Sequence, residues 1–168
     1  VNKIINEWQA NDYRRSYGMT ITCVRPANVT GPDKKFGSID HVNCMCQPAR
    51  GQSVIFPHAD AMRCVIHVED MAEVFARVLL ADKPKHETYN SGGVMVSLGE
   101  LAALVREILP DADISFEAET GGREISGNYL IDNTRVIEEF GVQYAPLHQR
   151  VKEVINDIRT SEGQLPLD

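Results

Sequence analysis

No apolar run in the 168 residues approaches the 18 needed to cross a bilayer, and no basic-then-apolar leader opens the chain. The reading is therefore a cytoplasmic protein. Excess positive charge is also missing: a formal net charge of −7, spread without long runs, argues against nucleic acid or an anionic membrane as partner. Cysteine is scarce and badly spaced for zinc. Four thiols stand at Cys23, Cys44, Cys46 and Cys64, with no C-x-x-C pair. They read as buried free thiols, and no metal site is expected. There is no repeat and no low-complexity tract. Asn28-Val29-Thr30 matches a glycosylation sequon, which carries nothing without a secretory leader.

What is present is ordinary for a globular chain: 43% apolar and 24% charged residues. The length allows one domain, or part of a larger one, able to bury roughly 70% of its unfolded surface. Residues 3–17 lack Gly and Pro and end at Gly18, which predicts a helix. Thr20 to Arg25 reads as a buried strand, opening after Arg25 into a polar loop punctuated by Pro26, Gly31 and Pro32. Open α/β sheets place ligand groups at such strand ends. Ser38 to Cys46 reads as a short helix closed before Pro48, and Val54 to Phe56 as a brief strand ending at Pro57. Arg63 to Val68 reads as a strand. A helix over Asp70–Leu80 follows, with Met71, Val74, Phe75, Val78 and Leu79 at helical spacing and Asp70 as N-cap. Thr88 to Ser91 is expected as a strand. Ser97 and Glu100 form a capping box for a helix with Leu98, Leu101, Val105, Ile108 and Leu109 as its stripe. Ile114–Glu117 and Tyr129–Ile131 read as strands. Asp132 caps a helix to Phe140 with Gly141 as its stop, and Val151, Val154, Ile155 and Ile158 mark a last helix before a polar, fraying tail. Strands alternating with amphipathic helices predict α/β organisation.

The segment Arg25-Pro26-Ala27-Asn28-Val29-Thr30-Gly31-Pro32 resembles the R-x-x-N-V-(aromatic)-G-P of extended short-chain dehydrogenase/reductases, the NAD-dependent epimerase/dehydratase family. Further fragments follow in that family's order. Lys3-Ile4-Ile5-Asn6-Glu7 resembles the K-x-x-x-E after the catalytic tyrosine, and Tyr17-Gly18-Met19 its YG(L/M). Arg63 to Asp70 resembles R-D-F-V-H-V-D-D. Tyr89-Asn90-Ser91-Gly92-Gly93 resembles Y-N-x-G-G, and Ser97 with Glu100-Leu101 resembles S-x-x-E-L. Gly122-Arg123 and Leu130-Ile131-Asp132-Asn133-Thr134-Arg135 resemble the late G-R and L-D-x-x-(R/K).

The resemblance implies the last strands and helices of a Rossmann-type parallel sheet (1–26 and 67–93), a small α+β substrate-binding subdomain (27–66 and 94–160) and a frayed tail (161–168). It also shows what these residues do not contain. No three glycines have the G-x-x-G-x-x-G spacing that holds a dinucleotide pyrophosphate. With Lys3 as the lysine of Y-x-x-x-K, the tyrosine falls two residues upstream of Val1. The expectation is the C-terminal half of such an enzyme, catalytically incomplete, binding NAD or NADP weakly by itself. The other reading is a non-catalytic nucleotide-sugar-binding or assembly module from a truncated gene.

By the same resemblance, Lys3 is the catalytic and ribose-binding lysine, against a solvated terminal lysine. Pro26 and Ala27 flank the nicotinamide by backbone contacts. Asn28, Arg63 and Arg123 hold a nucleotide sugar's diphosphate, which suits a planar guanidinium. The competing readings are an asparagine bonding its own backbone and two unconnected surface arginines. Arg25 reads as structural, and His67 as a core histidine. Glu7, Trp8 and Tyr13 lie on the helix that relatives use for a dimer contact, with core packing as the rival. Thr30 and Cys64 depart from the family's aromatic and aspartate, and His58 with Asp60 from its G-D-G.

Overall fold

The computed structural model describes residues 2–121 and 130–167. In chain order the elements are α1 (Asn2–Tyr17), β1 (Cys23–Arg25), β2 (Asn28–Thr30), α2 (Asp40–Ala49), β3 (Val54–His58), β4 (Met62–His67), α3 (Val68–Leu80), β5 (Thr88–Asn90), β6 (Val94–Ser97), α4 (Leu98–Ile108), β7 (Ile114–Ala118), α5 (Thr134–Phe140) and α6 (Leu147–Ser161). This is the expected α/β class. The strands form three small sheets, β1–β5, β2–β4–β6 and β3–β7, parallel throughout except for the antiparallel β4–β6 pair. No described helix is long and apolar enough to cross a membrane.

Several elements differ from their sequence expectation for identifiable reasons. Asn28–Thr30 was expected as loop, yet it pairs in parallel with Val65–His67. Pro26, Gly31 and Pro32 punctuate both ends of this strand instead of filling it with a turn. Helix α2 runs through Pro48 to Ala49. A proline there forfeits one bond in the last turn, and Cys46, Pro48 and Ala49 are all buried in return. Strand β3 includes Pro57 because, among the described residues, it pairs on one side only, with β7. Strand β6 went unread, being four residues that dock antiparallel on β4. Leu130 and Ile131 lie in no strand, and Tyr129 falls outside the described residues.

The caps show what sets the helix starts. The Ser97–Glu100 box forms as expected, with Ser97 Oγ accepting from Glu100 N–H and the Glu100 carboxylate from Ser97 N–H. Helix α5 has Asn133 and not Asp132 at its N-cap, with no side-chain cap bond; Asp132, one residue earlier, accepts from the N–H and hydroxyl of Thr134 at 3.0 and 2.6 Å, and Gly141 closes the helix at φ 62°. Helix α3, however, is capped by His67, whose Nδ1 accepts from Glu69 N–H, and not by Asp70. The tail expected to fray is tied back onto α6: the Asn156 amide pairs both ways with the Leu167 backbone, and Arg159 donates to Leu165 O.

Two apolar clusters hold the chain together. One joins α2, α4 and α6 to the faces of β3, β4, β6 and β7 through residues such as Val42, Cys44, Leu101, Val105, Val154 and Ile155. The other gathers Ile66, Met71, Val74, Tyr89, Val136 and Val142 from β4, α3, β5, α5 and the loop after it. Strand β4 lies between them: Val65 faces the first cluster and Ile66 the second. Gly93 lets the chain pass against this strand, since a Cβ there would stand 2.6 Å from Val65 O.

Candidate functional site

Strands β1 and β5 run parallel, so Pro26-Ala27 and Ser91-Gly92 emerge side by side at their carboxyl ends. Ala27 N–H donates to Ser91 Oγ at 2.9 Å, and Ser91 N–H to Arg25 O at 2.9 Å, fixing the two loops together. Beside them opens a hollow of about 430 Å³, lined by Lys3, Asn6 and Glu7 of α1 and by Cys23 to Pro26. The structure thus brings two predicted cofactor residues, Lys3 and Pro26, to one hollow, with Ala27 adjacent. The hollow is thus lined by a lysine, an asparagine and the Glu7 and Arg25 of one ion pair.

Helix α1 is held at this position by polar contacts. The Glu7 carboxylate takes the Arg25 guanidinium bidentately, at 2.7 and 2.6 Å, and that hydrogen bonding holds the Glu7 carboxyl below its usual range. Arg14 donates to Ile21 O at 2.7 Å and to Glu87 at 2.9 Å. Arg25 is a tether, in keeping with its structural reading. Trp8 is 70% exposed and Tyr13 48%, so neither packs in the core.

Asn28 and Arg63 share one face of the β2–β4–β6 sheet. Asn28 is level with Val65, which places Arg63 one side-chain repeat away on the same face. The Asn28 amide donates to Cys64 O, on the neighbouring strand, at 3.0 Å. Arg63 is no surface arginine: it is 4% exposed. Its Nε lies 3.0 Å from both Asp40 oxygens, Nη2 also donates to Asp40, and Nη1 donates to Met62 O at 2.6 Å. Burial pushes the Asp40 carboxyl up, but hydrogen bonds from His41 and Arg63, with the guanidinium charge, outweigh it and hold the group well below the usual carboxylate range. Arg123 lies outside the described residues.

A second polar junction, unread in the sequence, joins α6 to the start of α3. Arg150 donates to Asp70 through Nε and Nη2, at 3.2 and 2.6 Å, and through Nη1 to Glu69 and Glu153, both at 2.6 Å. His67 lies against it, 5% exposed, with Nε2 lacking a partner among the described residues. Burial first, and then the Arg150 charge, lower the His67 pKa. His67, Glu69 and Glu153 each bring a potential metal-ligating atom within 4.8 Å of the others. Both carboxylates already share the Arg150 guanidinium, which supplies the positive charge there. Burial pushes the Cys44 thiol up to about 12, so it rests as an inert thiol.

Sequence reading missed Asp40 and Arg150. Ser38-x-Asp40 ahead of an apolar helix was a readable start signal, but nothing local marked Arg63 as its partner 23 residues on. Arg150 meets Asp70 across 80 positions, with no motif at either end.

Residues 1–92 match the NAD dependent epimerase/dehydratase family. Over 166 residues, 98% of this chain and 47% of the relative, the sequence is 24% identical to cinnamoyl-CoA reductase 1 of Oryza sativa subsp. japonica. A UDP-glucose 4-epimerase of Thermotoga maritima, solved with UDP-glucose, superposes with TM-score 0.77 at 23% identity, over 95% of this chain and 52% of that one. L-threonine 3-dehydrogenase of Trypanosoma brucei superposes with TM-score 0.80 at 17% identity, over 98% and 54%. At such identities the superpositions show the shared fold, and the chain spans about half the length of these relatives. With the family match covering more than half of its residues, the chain belongs to the NAD dependent epimerase/dehydratase family.

Proposed function

We propose that the chain is the substrate-side portion of an NAD(P)-dependent epimerase, dehydratase or reductase, and that its ligand is a nucleotide sugar. The observation that carries this reading is the shared sheet face of Asn28 and Arg63, Asn28 following closely on Pro26, which lines the hollow with Lys3 at the carboxyl end of β1. Asn28 and Arg63 bind the diphosphate, with Arg123 as the second guanidinium. Nicotinamide dinucleotide, when bound, supplies hydride transfer at the substrate carbon. Lys3 holds its ribose and lowers the pKa of a proton-exchanging phenol, while Pro26 and Ala27 offer backbone groups to the carboxamide. Residues 1–26 and 67–93 form the sheet side of this division, and 27–66 with 94–160 the substrate side. A second copy of the chain pairs through α1, and the protein works in the cytoplasm.

Calorimetry with UDP-glucose and with NAD tests the reading. The chain is expected to bind UDP-glucose measurably and NAD only weakly, because these residues hold no glycine-rich pyrophosphate loop. Arg63→Ala combined with Arg123→Ala abolishes the sugar-nucleotide signal, whereas His67→Ala mainly lowers stability. Sub-millimolar NAD binding, or unchanged UDP-glucose binding in the double variant, contradicts the assignment.

A further inference from the structure

Asp40 occupies a place built for an oxyanion. Its Oδ1 accepts from Ser38 Oγ at 3.2 Å, from His41 N–H at 2.8 Å in the first turn of α2, and from Arg63 Nε at 3.0 Å. Arg63 Nη2 donates to Oδ2. The His41 ring Nδ1 stands 3.3 Å from Oδ1. Lys34, anchored on Ser38 O at 2.9 Å, adds the field of an ammonium. A hydroxyl, a helix-start N–H, a forked guanidinium and a nearby ammonium are the donors that hold phosphates in proteins. Here they converge on a carboxylate of the chain itself. The Asp40 side chain is 26% exposed against 5% for Arg63, so the aspartate is the solvent-facing partner of the pair.

We propose that Asp40 is an internal competitor for the Arg63 anion seat, so that a ligand's diphosphate gains this arginine only by displacing the Asp40 carboxylate. The inference rests on the reading of Arg63 as a diphosphate-binding residue and adds what controls it. Rotation about the Asp40 side-chain bonds carries the carboxylate outward without moving the backbone of α2. Ligands without a phosphate at this position leave the pair undisturbed. For diphosphates the closed pair acts as an incompetent state, and the apparent affinity falls by the fraction of time the seat is open. Asp40 thereby sets how strongly Arg63 distinguishes a nucleoside diphosphate from an uncharged analogue.

The test titrates wild type, Asp40→Asn and Asp40→Asn/Arg63→Lys with UDP, inorganic pyrophosphate and uridine. The amide keeps the size of the carboxylate and one acceptor oxygen but loses the charge. Asp40→Asn is expected to bind UDP and pyrophosphate at least tenfold tighter than wild type, with uridine unchanged and the gain lost once Arg63→Lys is added. In arginine-labelled wild type, the Arg63 Nε–H resonance is expected to shift as UDP saturates. A folded Asp40→Asn that binds UDP no tighter than a UDP-binding wild type overturns the role of Asp40 and leaves the diphosphate reading standing. Absence of UDP and pyrophosphate binding in both proteins, with the resonance unmoved, overturns the diphosphate reading and this inference together. Should Asp40→Asn fail to fold, the wild-type spectrum decides: a displaced Arg63 resonance supports competition, and a stationary one under saturating UDP refutes it.

Discussion

His67 carries the most direct pH signature at the level of single residues. Its pKa is lowered from the ordinary 6.5 by burial and by Arg150, while the unfolded chain keeps the ordinary value. Below that value the unfolded state therefore takes up a proton that the folded state refuses, and stability falls with falling pH. Glu69, Asp70 and Glu153 face the ring and oppose this shift without reversing it. Thermal unfolding should show Tm dropping as pH goes from 7 toward 5, and His67→Gln should flatten that slope. A slope unchanged by the substitution would assign the acid sensitivity to other groups. The sequence did show His67 as a core residue, because it stands in an apolar run. It could not show the histidine as a cap, since capping depends on the backbone turn at residue 67. Asp70 looked like the cap for the same reason, and instead answers Arg150 from the other end of the chain.

Elements whose information is local were readable. Helix α4 is the clearest case, with its capping box and its stripe of Leu98, Leu101 and Val105 all in one stretch. Removing the cap by Ser97→Ala should cost about 1 kcal/mol and lower Tm by about 2–4 °C, measured by calorimetric unfolding. Strands β2 and β6 were missed or misread because three or four residues carry little period of their own, and their partner is β4. Helix α1 has correct ends and an unusual attachment, with Ala10 its only buried residue. Its hold comes from the solvent-facing Arg25–Glu7 pair, of modest worth, and from Arg14, whose side chain is 15% exposed and bonds Ile21 O and Glu87. Hydrogen exchange should therefore be faster across α1 than across α4, and faster still in Arg25→Ala. Equal protection in the two helices would contradict this account of how α1 is attached.

Viewed whole, the molecule leaves apolar surface uncovered. Ile4, Trp8 and Tyr17 on α1, and Leu79 and Leu80 at the end of α3, are all more than half exposed. The α1 side chains among these are the ones that the proposed pairing through α1 would cover. Sedimentation should show the chain self-associating in the micromolar range, with Trp8→Ser shifting it toward monomer; a monomer at all concentrations would remove the proposed pairing through α1. Fold class and family were legible because short fragments follow one another in the family's order along the sequence, several of them, such as Arg25–Pro32 and Tyr89–Gly93, at strand ends. The Asp40–Arg63 pair was not, since it exists only once α2 is laid against β4. The measurement bearing most directly on the proposed site is a crystal structure of the chain with UDP-glucose. The account predicts diphosphate oxygens within hydrogen-bond reach of the Arg63 guanidinium, on the sheet face of Asn28, with Asp40 rotated away. Diphosphate bound at any other place, with the Arg63–Asp40 pair intact, would contradict it.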